Sequence, residues 1–236
     1  MGYVMNKNNV TTDYFYNDVN KLLNRFKFKE AYKYLVENVE VSQLSSELEK
    51  KYFYYYLSKS LILGFEKMDE ALIYLKKIEL WHDWNGEDNL IDILIVNTIA
   101  VAYDLKDDKK QAEKYFDKTV EKILSCKMFP EENFSDAIVM LYNCAKFYST
   151  LKEYERSIDL CNVAIEVAKN LDTFKHLDKI YYEAGFNYYQ VQNKKKAATY
   201  FTYAYTFANL NNNTLLKKII LNDAKDFNLL LEFKTN

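Results

Sequence analysis

The chain has 236 residues and a formal net charge of −2, with 32 basic and 34 acidic side chains mixed along its length. That balance argues against a dedicated nucleic-acid surface, which is basic and clustered. Four glycines and one proline leave little material for β-turns or phosphate-cradling loops and favour long helices.

Residues 1–12 are polar and patternless and are predicted to be a flexible lead-in. From Asp13 a helical period begins, with Phe15, Val19, Leu22 and Phe26 on one face. A break at Lys27–Phe28 precedes a second helix through Ala31, Leu35 and Val39. Ser45 or Ser46 can cap the next helix, and Glu49 three residues after Ser46 has the pattern of a capping box. It opens a helix carrying Phe53, Tyr56, Leu57, Ser60 and Leu63 that stops near Gly64. Its partner, about 67–80, holds Ala71, Leu75 and Ile78. A loop with Trp81, His82 and Trp84 follows, its tryptophans expected to pack on the edge of the fold. Residues 88–105 form a strongly apolar helix, and Asp107–Asp108 opens the next, through Ala112, Phe116 and Val120. Pro130 suits the first turn of a further helix through Leu141, Cys144, Ala145 and Tyr148. The last full pair is predicted at 173–191 and 194–210, and Thr214 caps a final helix to about Leu231. No linker of low complexity divides the chain, so 13–236 reads as one domain.

Cys126, Cys144 and Cys161 have no C-x-x-C spacing and read as reduced thiols, which points to a reducing, cytoplasmic setting. No N-terminal stretch resembles a signal peptide. The most apolar run, Leu90–Tyr103, contains Asp92 and Asn97 and is too short to span a bilayer.

The strongest signal is internal repetition. Ala31, Ala71, Ala112, Ser157 and Ala197 recur at intervals of 40, 41, 45 and 40 residues. Each is followed four residues later by Leu35, Leu75, Phe116, Cys161 or Phe201. A period of this size marks a solenoid, in which each helical hairpin buries its apolar face against a neighbour. In 141–165 and 181–205, small residues Ala145 and Gly185 are followed by Tyr148 and Tyr188, then Ser157 and Ala197, Cys161 and Phe201, Ala164 and Ala204. Ala100, Tyr103, Ala112 and Phe116 match in the preceding unit. This resembles the tetratricopeptide repeat, W-x2-L-G-x2-Y followed by A-x3-F. The expected fold is therefore all-α, a right-handed superhelical solenoid of five hairpins plus a C-terminal capping helix.

The period exceeds the usual repeat of about 34 residues. Long-helix repeats of this kind resemble the peptide-binding domains of bacterial quorum-sensing receptors, the Rgg, PlcR and NprR regulators and the related Rap proteins. The resemblance implies a cytoplasmic, homodimeric regulator that holds a short signalling peptide, or an extended protein segment, in its concave groove. Transcription or a partner protein would then be regulated. Those regulators begin with a helix-turn-helix domain, and here the repeats start near Asp13: either that domain is missing from these residues or the protein works without touching DNA, and no direct nucleic-acid contact is expected of them. No membrane contact is expected either. The competing reading is a constitutive tetratricopeptide scaffold for protein–protein interaction, with no peptide pheromone.

In the tetratricopeptide pattern the first helix of each hairpin lines the groove. Counting from the small reference residue, positions −6, −3, +1, +4 and +5 face inward. With neighbouring amides included, the candidate peptide-binding residues are Asn97, Asp104, Tyr142, Asn143, Lys146, Tyr182, Phe186, Tyr189 and Gln190. Amide side chains pair with both the N–H and C=O groups of an extended peptide, and aromatic rings supply contact area. Asn187 lies beside this face. Enzymatic chemistry has no foothold: no Gly-rich phosphate loop exists, and His82 and His176 lack a partner at metal-ligand spacing. Neither a cofactor nor a metal is expected.

Overall fold

A computed structural model describes residues 10–81, 90–125 and 134–231. These residues form eleven α-helices, one short 3-10 helix (Val41–Gln43) and no strand. The helices are α1 Val10–Asn24, α2 Phe28–Asn38, α3 Glu47–Phe65, α4 Met68–Glu79, α5 Leu90–Leu105, α6 Lys109–Ser125, α7 Phe134–Thr150, α8 Tyr154–Asn170, α9 Leu177–Gln190, α10 Lys194–Leu210 and α11 Thr214–Asp226. The chain divides within α6 into two compact units, Met1–Tyr115 and Phe116–Asn236.

The repeat residues explain the packing. Ala31, Ala71, Ala112, Ser157 and Ala197 have no exposed surface, and the bulky groups four residues later are equally buried. A small side chain lets one helix approach the other closely, and the next turn fills the gap. Gly185 shows how tight the approach is: a Cβ built there would lie 2.8 Å from the Phe201 ring and 3.3 Å from its backbone nitrogen. In the N-terminal unit consecutive helices pack as hairpins, and α1, α3 and α5 also touch in series. Ser46 caps α3 as the sequence predicts: its hydroxyl accepts from the Glu49 amide (3.1 Å), and the Glu49 carboxylate accepts from the Ser46 amide (3.2 Å). Between α3 and α5 the Lys51 ammonium meets Asp92 at 2.9 Å, with both side chains almost wholly buried. In the C-terminal unit α7, α9 and α11 form the corresponding series, with α8 and α10 as their partners.

The turns share one geometry. A left-handed residue lies five positions before each repeat alanine or serine: Phe26, Glu66, Asp107, Lys152 and Gln192, with φ between 56 and 65°. In four of the five turns the next amide donates to the carbonyl five residues back, from Lys27 to Leu22, Asp108 to Tyr103, Glu153 to Tyr148 and Asn193 to Tyr188, at 2.8–3.0 Å; in the fifth Lys67 reaches Leu61, six residues back, at 3.1 Å. The pattern is a Schellman closure, and it starts the second helix at a fixed register.

Several boundaries differ from expectation. The first helix begins at Val10 and ends at Asn24, so Phe26 lies in the turn and is 76% exposed while Leu23 takes the buried place. The helix predicted from 173 begins at Leu177, because Asp172 and His176 are both left-handed. The final helix stops at Asp226 rather than Leu231. Asn228 adopts φ 53°, and the Leu229 amide donates to Ala224 (2.8 Å), closing the end. Trp81 packs edge-on against Tyr54, whereas His82, Trp84, Cys126 and Pro130 lie outside the described residues.

Candidate functional site

In the C-terminal unit the first helices α7, α9 and α11 lie side by side and bring seven of the expected residues together. Helical spacing puts Tyr142 and Lys146 on one face of α7, and Tyr182, Phe186, Tyr189 and Gln190 on one face of α9. Tyr142 is half-buried, and its phenol is pushed above the usual tyrosine range by burial, then by the nearby Glu183 carboxylate. Lys146 is exposed, and Asn143 is half-buried beside it. The Tyr182 hydroxyl donates to Asp223 of α11 at 2.6 Å. Burial and this bond raise its phenol as well. Tyr189 stacks on Phe227, just after α11, at 4.0 Å and 9° between planes, and Phe186 leans on the same ring at 6.1 Å. Gln190 is half-exposed at the end of α9.

Below this face lies a polar network that position counting does not reveal. Glu183 is 7% exposed. Burial raises its carboxyl above the ordinary carboxylate range, opposed by hydrogen bonds from Ser149 and Asn187 and by the charge of Lys146. The Asn187 amide nitrogen donates to Ser157 Oγ (3.0 Å), to the Glu183 carbonyl (2.7 Å) and to its carboxylate (3.2 Å). Ser157 in turn donates to the Ala145 carbonyl at 2.7 Å. Asn187 is therefore a buried tie between α8 and α9 and has no surface to offer a ligand. Its Oδ1 finds no donor among the described residues. The sequence signal was available but weak: Glu183 and Asn187 flank Gly185 at −2 and +2, positions that turn toward the neighbouring hairpin.

The two remaining expected residues belong to the N-terminal unit. Asn97 is 4% exposed, inside the packing of α5 rather than on its surface. Asp104 is half-buried near the end of α5 and accepts from Lys109 Nζ at 2.8 Å. Among the described residues no three His, Cys, Asp or Glu side chains are grouped to hold a metal ion. No described helix is long and apolar enough to cross a membrane. His176 stands at the start of α9 with its imidazole pKa lowered by burial, then by Lys179.

Comparison with known proteins adds a family to this geometry. The model of the RNPP family C-terminal domain matches residues 16–229. No curated protein sequence matches. Among solved structures, PlcR of Bacillus thuringiensis in complex with the peptide PapR7 and DNA is similar at a TM-score of 0.75 and 18% identity, over 93% of this chain and 77% of that one. The apo form of RapI is similar at 0.66 and 15%, over 91% and 83%. Aspartyl phosphate phosphatase F of Bacillus subtilis is similar at 0.62 and 16%, over 89% of this chain and 52% of that one. Identities this low carry the fold alone. The family match, covering most of the chain, carries more: this protein belongs to the RNPP family through its C-terminal domain.

Proposed function

We propose that the chain is a peptide-responsive regulator that binds a short signalling peptide across α7, α9 and α11. The observation that carries the reading is the shared face of these helices. Tyr142, Lys146, Tyr182 and Gln190 combine ring, ammonium and amide groups at one register, on helices matched by a peptide-receptor family. An extended peptide needs partners for its backbone groups and area for its side chains, and this residue set supplies both. PlcR, similar in fold, has been solved in complex with the peptide PapR7 and DNA, which supports the peptide-binding reading. Here the output is transcription or a partner protein, the oligomer a homodimer and the setting the cytoplasm. Asn97 and Asp104 stay outside the proposed contact set, the first by burial and the second by its bond to Lys109. Regulation requires that the peptide bind two conformations with different affinity.

Native mass spectrometry of protein purified from its own host tests the reading directly. A co-purified peptide is expected, released on unfolding. Tyr142→Ala should weaken rebinding of that peptide roughly tenfold, the loss of one good contact. A protein that emerges with no peptide, and takes up none from its host's spent medium, is a constitutive scaffold instead.

A further inference from the structure

The charged groups of the proposed face are sorted by sign. Five lysines sit on its three helices; Lys217 of α11 bonds to Asn209 at 2.6 Å, and the other four share the groove register. Lys179 and Lys218 lie six residues before Gly185 and Ala224, and Lys146 and Lys225 lie one residue after Ala145 and Ala224. Lys146, Lys218 and Lys225 are exposed and Lys179 is half-exposed. None of the four makes an ion pair within 4 Å among the described residues. Two other cations of the same unit do pair, Lys169 with Glu166 at 2.7 Å and Arg156 with Asp117 at 2.5 Å.

The carboxylates on these helices face other tasks. Asp178 is 3% exposed and accepts from Asn213 at 2.9 Å. Glu183 is held by Ser149 and Asn187, and Asp223 by the Tyr182 hydroxyl. Each of the three is bound to a neutral donor within the packing. Asp136 and Asp226 stand near the outer ends of α7 and α11. Lysines on flexible stems reach solvent, while the buried Asp178 and Glu183 and the half-buried Asp223 are held by asparagine, serine and tyrosine.

From this arrangement we infer that the face selects acidic peptides, with Lys146, Lys179, Lys218 and Lys225 reading carboxylates of the ligand, side-chain or C-terminal. The inference rests on the peptide-receptor reading and names its ligand class. The aromatic rings of Tyr142, Tyr182 and Phe186 lie between the lysines and take the apolar residues of the same peptide. Potentials of one sign over a surface steer a ligand of the other sign and reject like charge.

The test uses the full chain and a messenger-RNA-displayed library of random short peptides, with acidic and basic residues equally frequent. Enriched peptides should carry net negative charge. Binding of an enriched acidic peptide should fall about five- to tenfold in Lys179→Gln or Lys225→Gln, and the same peptide with its carboxylates replaced by amides should be insensitive to both. Raising the salt concentration should weaken the acidic peptide more than its amide counterpart. Enrichment of neutral or basic peptides overturns the charge assignment and leaves the receptor reading in place. Enrichment of nothing overturns both. The lysine ammonium groups lie at the surface, so the glutamine variants keep the fold, and a thermal melt verifies it.

Discussion

Lys51 and Asp92 put a full ion pair between α3 and α5 with 5% and 11% of their side chains exposed. Each partner has lost its hydration, so removing one leaves the other uncompensated in the packing. Asp92→Asn is expected to cost about 3–5 kcal/mol of unfolding free energy, whereas Lys51→Met combined with Asp92→Leu should come close to neutral. Urea unfolding of the two variants measures the contrast, and a loss under about 1 kcal/mol in Asp92→Asn would show that water reaches the pair. Nothing in the sequence flags these residues. A lysine and an aspartate 41 positions apart on apolar helices read as solvent-facing until the stacking of α3 on α5 is known. Burial of Glu183 was hidden for the same reason. The thiols were more legible: Cys144 and Cys161 are free and wholly buried, and burial pushes both above the usual thiol range.

At the scale of the helix, what was readable followed from periodicity and what was not followed from turn chemistry. Ala31, Ala71, Ala112, Ser157 and Ala197 placed the second helix of every hairpin, because close helix approach demands a small side chain. Ser46 and Glu49 placed the start of α3 through reciprocal hydrogen bonds. The turns gave no such sign. Their left-handed positions hold Phe26, Glu66, Asp107, Lys152 and Gln192, where glycine or asparagine is the usual occupant. Each such residue carries about 1–2 kcal/mol of steric cost, sustained by the hydrogen bonds that close the turn. Replacing Gln192 by Gly removes that cost and adds about 0.5–1 kcal/mol of backbone entropy to the unfolded chain. The net expectation is a gain near 0.5–1 kcal/mol, and Lys152→Gly at a separate turn should add to it. Thermal unfolding of both single variants and the double variant measures this. Destabilisation in either single variant would mean that the side chain, rather than the backbone, holds the turn.

For the chain as a whole, register identified which side chains share a helix face but not what covers that face. Tyr182, Phe186 and Tyr189 fall on the expected side of α9, yet Asp223 and Phe227 engage them from α11 and beyond it. Asn97 holds the register of Tyr142 and Tyr182 and is buried all the same, because α5 is apolar on nearly every side. Site assignment therefore needs the neighbouring helix, which a single repeat does not specify. Ligand linkage tests the assignment on the intact protein. A peptide that binds only the folded chain, at a hundredfold excess over its Kd, stabilises it by about 2.7 kcal/mol. For a chain of this length that corresponds to a rise in Tm of roughly 5–10 °C. Hydrogen exchange then locates the effect: added protection is expected in α7, α9 and α11, where the proposed contacts lie. A rise in Tm with protection confined to residues 1–115 would keep the receptor and move its site to the N-terminal unit. Unchanged Tm at saturating peptide would remove the folded-state contact on which the regulatory reading depends.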